Sequence, residues 1–134
     1  MKYPAPSVVQ LTPKHGLKDC VCAALSAYLG KPYEEVVAAA GKIYPNFHRI
    51  GLDNPHTVAV ARRLKVPVRW VKDYDIEEDS GVLTISYWAG RTEHVVLLLE
   101  GHILELEDLP TTWWEPAAYF AAHGARAGLL LVRK

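Results

Sequence analysis

HVVLLLEGHILEL, residues 94–106, is the stretch on which the fold of this chain turns. Two apolar runs, 94–99 and 102–106, flank Glu100-Gly101, and a two-residue step ending in Gly between such runs marks a tight β-hairpin. The turn sets the register. Leu99 opposes His102, Leu97 opposes Leu104, Val96 opposes Glu105 and His94 opposes Glu107, so His94, Val96, Glu105 and Glu107 share one face of the pair. Outward from the hairpin, VLTISYW (82–88) alternates as a strand does, VPVRWV (66–71) is β-branched, and the acidic DYDIEEDSG (73–81) between them reads as a loop. On the other side, LPTTWWEPAAYFAAHG contains a short helix ending at Gly124, and GLLLV (128–132) reads as a last strand.

Toward the N-terminus the period changes from two to that of a helix. DCVCAALSAYLG starts a helix with Asp19 as cap, puts Cys20 in the first turn and leaves Gly30 just past the end. KPYEEVVAAAG gives a second, with Pro32 at its first position, Glu34 and Glu35 at the positive end of the dipole, and a stop at Gly41. After the aromatic loop IYPNFHRIGL, DNPHTVAVARRLK begins a third at Asn54-Pro55, with Val58, Ala61 and Leu64 at helical spacing. Helices come first and an antiparallel sheet second, which is an α+β order, with N-terminal helices packed on a C-terminal sheet. Neither a repeat nor a linker interrupts 134 residues, so the expectation is one domain over 1–134.

Composition narrows the function by exclusion. Fifteen basic residues against 15 acidic ones give no net charge, hence no field for a phosphate backbone or an anionic membrane, and neither nucleic acid nor membrane is expected as a partner. No apolar run reaches the roughly 20 residues of a membrane span, and the start lacks a signal-peptide block, so the chain reads as soluble and cytoplasmic. Cys20 and Cys22 are the only cysteines, and the six histidines make no HxxxH pattern. No metal site and no cofactor are expected from such a set.

A free Cys in an Ala-rich helix is commonly a small buried hydrophobe. The first turn is the exception, because backbone N–H groups and the helix dipole favour the thiolate there. Cys22 lies about 200° further round the helix, so the two thiols cannot serve one cleft. A base for the thiolate must stand near the helix terminus, and His94, opening its strand, can reach from the rim of the sheet. A carboxylate on the same face would hold the imidazole tautomer and stabilise imidazolium. Glu105 and Glu107 are on that face; Asp108 falls on the other or in the loop beyond. Trp113-Trp114 with Tyr119 and Phe120 reads as core beneath a helix, and His102 beside the turn as exposed.

Asp19-Cys20-x-x-Ala23-Ala24-Leu25, followed by Gly30 and Tyr33-Glu34-Glu35-Val36, and then His94-Val95-Val96 running into the hairpin, resembles the papain-like cysteine peptidase superfamily. The resemblance is nearest to compact bacterial and phage members related to the double-glycine leader peptidases of bacteriocin exporters. It implies a papain-like domain with the site in a groove between helices and sheet, Cys20 as nucleophile, His94 as general base, and the orienting acid at Glu105. It also implies a Gln upstream of the Cys as oxyanion donor, and Gln10 is the chain's only Gln. The implied activity is hydrolysis of a peptide or isopeptide bond in a peptide or protein substrate.

Three positions depart from the family pattern. Glu105 replaces an Asp or Asn and is a methylene longer, so Glu107 or Asp108 could take its task. Val21 replaces a Gly after the nucleophile and would crowd an approaching substrate. Gln10 lies ten residues before Cys20, farther than in the family, with Lys14 and His15 nearer. These departures suit a catalytically weak or inactive peptide-binding module of the same fold; a further alternative keeps the fold and changes the acyl acceptor, giving an amidase or transglutaminase-like acyl transferase.

Overall fold

A computed structural model describes residues 2–4, 20–47, 51–87, 93–106 and 112–134. The central hairpin joins β4 (Glu93–Leu99) to β5 (His102–Glu105), with Leu97 paired to Leu104, Leu98 to Ile103 and Leu99 to His102. Both turn residues are left-handed, Glu100 at φ 45° and Gly101 at φ 81°, as a two-residue turn matched to strand twist requires. Around the hairpin lie β1 (Lys2–Pro4), β2 (Val68–Val71), β3 (Gly81–Tyr87), β6 (Thr112–Trp114) and β7 (Ala125–Arg133). All pair antiparallel in one sheet of order β1-β6-β5-β4-β3-β7-β2.

The helices are α1 (Cys20–Leu29), α2 (Tyr33–Ile43), α3 (Asn54–Arg63) and α4 (Pro116–His123). The class is α+β. Helix α1 is buried on nearly every side, through Val21, Cys22, Ala23, Ala24, Leu25, Ser26 and Leu29, and packs on β4 and β3. Its small side chains let the helix come close to the sheet. The far end is tied down, since the backbone N–H of Arg133 donates to the Tyr28 hydroxyl at 3.0 Å and the Arg133 guanidinium to the Tyr28 carbonyl at 3.1 Å.

Alternation along the strands creates a core on each side of the sheet. One side holds α1, α2 and α3 against Val68, Val82 and Leu131. The other holds Leu83, Ile85, Val96, Leu98, Ile103 and Leu130 against Tyr119 of α4. Consecutive residues Leu130 and Leu131 thus serve separate cores.

Several sequence expectations shift. Helix α2 begins after Pro32 and runs through Gly41 to Ile43, because Ile43 and Tyr44 still pack on the helical core. The inward stripe of α3 is Thr57, Val60, Ala61 and Leu64, with Val58 only half-buried; Asp53 caps this helix, accepting from the His56 N–H at 2.8 Å. Strands β1 and β6 were not expected; each is three residues long, too short for alternation to register. They place a strand before the helices, while α4 falls between strands β6 and β7, so the separation of helices from sheet is less clean than the sequence order indicates. His102 is half-buried, its ring edge-on to Trp113 at 4.1 Å, rather than exposed.

Candidate active site

Cys20 is the first residue of α1 and is partly exposed, whereas Cys22 is fully buried in the helical core. The helical rotation between them separates a reachable thiol from a packed one. Val21, between them, is buried in the helical core as well.

His94 stands near the start of β4, opposite Ile85 of β3, and is 8 % exposed. Its Nε2 lies 3.1 and 3.2 Å from the two carboxylate oxygens of Glu105, which is 7 % exposed. The two residues are diagonal neighbours on one face of the hairpin, within reach for a long acidic side chain. A carboxylate only accepts, so Nε2 carries a proton and donates it, and Nδ1 is left for the other partner. That partner is Cys20, which hydrogen-bonds the imidazole.

Burial by itself would strip the proton from His94. It is outweighed by the hydrogen bonds the ring makes to Cys20 and Glu105 and by their charges, and the His94 pKa rises from 6.5 to about 10. The ring is therefore an imidazolium across the neutral range. A thiol at a helix start, touching an imidazolium whose far side rests on a carboxylate, has the parts for nucleophilic attack followed by proton return.

Behind Glu105 is a residue the sequence reading assigned to core alone. Tyr119 of α4 is fully buried, and its hydroxyl donates to Glu105 Oε2 at 2.8 Å. Pro116 and Gly124 make the helix legible, but which face of the sheet it covers is a long-range matter that no local pattern carries. Gln10, Glu107 and Asp108 lie outside the described residues, as do Lys14, His15 and Asp19, the cap expected from the sequence. Among the described residues no group of three or more His, Cys, Asp or Glu could hold a metal ion, and no helix is long and apolar enough to cross a membrane.

A scan of protein-family models and a search of curated proteins each found no match to this chain.

Proposed function

We propose that this protein is a cysteine-peptidase-like hydrolase of papain-like fold, acting on a peptide or isopeptide bond through Cys20, His94 and Glu105. The observation that carries the reading is the buried His94 ring held between a thiol and a carboxylate. In the reaction, the Cys20 sulfur attacks the carbonyl carbon and the C=O electrons move to oxygen. The Cys20 backbone N–H, at the first turn of α1 where amide groups point out of the helix, donates to that oxyanion. His94 then gives its proton to the leaving amine as the C–N bond breaks, forming a thioester. The thioester no longer offers the sulfur charge that helped hold the His94 proton, so the neutral ring can take a proton from water as hydroxide attacks. Release of the acid restores thiolate and imidazolium, with Glu105 keeping the ring aligned throughout.

The test is a peptide library digested by the wild type and by Cys20→Ala, with products read by mass spectrometry. New carboxyl termini from the wild type alone are expected, with a rate that falls as pH rises through about 10, where His94 loses the proton owed to the leaving group. Peptides bound equally by both proteins and never cut would make the fold a docking module. Products carrying an added amine in place of hydroxyl would make it an acyl transferase.

A further inference from the structure

A glutamate in the orienting position has one more rotatable bond than an aspartate, and an unheld carboxylate would swing off the imidazole it must align. The Glu105 carboxylate is held from two sides. His94 Nε2 lies against both oxygens at 3.1 and 3.2 Å, and the Tyr119 hydroxyl reaches Oε2 at 2.8 Å.

The phenol is itself fixed. Its ring is stacked on His123 at 4.2 Å and 27°, and meets Trp114 edge-on at 5.6 Å and Phe120 at 6.1 Å. His123 Nδ1 lies 2.9 Å from the Tyr119 carbonyl, one turn back on α4. A fully buried, rigid phenol is a costly way to fill a core unless its hydroxyl has a partner, and the partner here is a carboxylate that touches the candidate base.

We propose that Tyr119 is the positioning residue of the site: its hydroxyl locks Glu105 in the one rotamer that receives the His94 Nε2–H, which is what allows a glutamate to serve there. The inference rests on the hydrolase reading for its consequence, but it is measured on His94 and needs no substrate. Tyr119 acts through Glu105 and touches no reacting atom.

The experiment follows the His94 ring by NMR through its titration in wild type, Tyr119→Phe, Glu105→Gln and the double variant. Alongside, iodoacetamide labelling of Cys20 at mildly acidic pH reports the thiolate. Tyr119→Phe is expected to lower the His94 midpoint and to slow labelling about tenfold, the equivalent of one hydrogen bond to a charged group. In the Glu105→Gln background the same change should have no further effect. An unchanged midpoint in Tyr119→Phe overturns the proposal, as does an effect that adds in full to that of Glu105→Gln. Should Tyr119→Phe not fold, 3-fluorotyrosine at 119 replaces it: its fluorine resonance should move with the His94 titration, and a resonance indifferent to that titration overturns the proposal equally. Failure of the hydrolase reading would show differently, as absent peptide turnover in the wild type with the Tyr119 effect on His94 intact.

Discussion

An imidazole taken out of water sheds its proton; His94 keeps it because Cys20 and Glu105 oppose burial together. That makes its contribution to stability depend on pH in a definite direction. A folded-state pKa of about 10 above an ordinary 6.5 means stabilisation fully present below 6.5 and lost as pH rises through about 10. The proton that His94 holds is, on the proposed reading, the one the thiol has given up. In the unfolded chain that thiol ionises near pH 8.5, which compensates the His94 loss below that point. Urea denaturation should therefore show a fall in stability concentrated between about 8.5 and 10, absent from His94→Gln. A wild type whose stability tracks that of the variant across this range would contradict the ion pair.

At the scale of elements, the hairpin was the most legible part of the chain because two local rules coincide there: a two-residue turn and a period of two fix register together. The Leu97–Leu104 and Leu99–His102 pairs follow from the sequence alone, and with them the face that His94 shares with Glu105. The turn is imperfect in one respect. Glu100 is a side-chain-bearing residue at φ 45°, a conformation that Asn adopts more readily, while at Gly101, φ 81°, a Cβ would be strained and would lie 3.0 Å from the Glu77 carbonyl oxygen. Glu100→Asn should raise stability by about 0.5–1 kcal/mol, seen as a higher midpoint in thermal melting, with His94 titrating as before. Legibility ends where packing is long-range: the meeting of Cys20 with His94 depends on how close α1 lies to β4, and Tyr119 reaches Glu105 only because α4 covers the second face of the sheet. Gly81 illustrates the same limit. It reads as a loop residue before a strand, yet it opens β3 against β7, where any Cβ would collide with the Leu131 carbonyl.

For the whole molecule, the site is a junction of three layers. Cys20 comes from the helical layer, His94 and Glu105 from the sheet, and Tyr119 from the helix on the opposite face, so the two cores that stabilise the fold also hold the geometry of the candidate site. The zero net charge read from composition bears on none of this, because the charges that matter are a buried pair. Differential labelling of the two cysteines by iodoacetamide at mildly acidic pH, resolved by peptide mass spectrometry in wild type and His94→Ala, tests the central claim most directly. Cys20 should label rapidly in the wild type, Cys22 hardly at all, and the Cys20 advantage should disappear with His94. Equal and slow labelling of both thiols, or a Cys20 rate indifferent to His94→Ala, would contradict it.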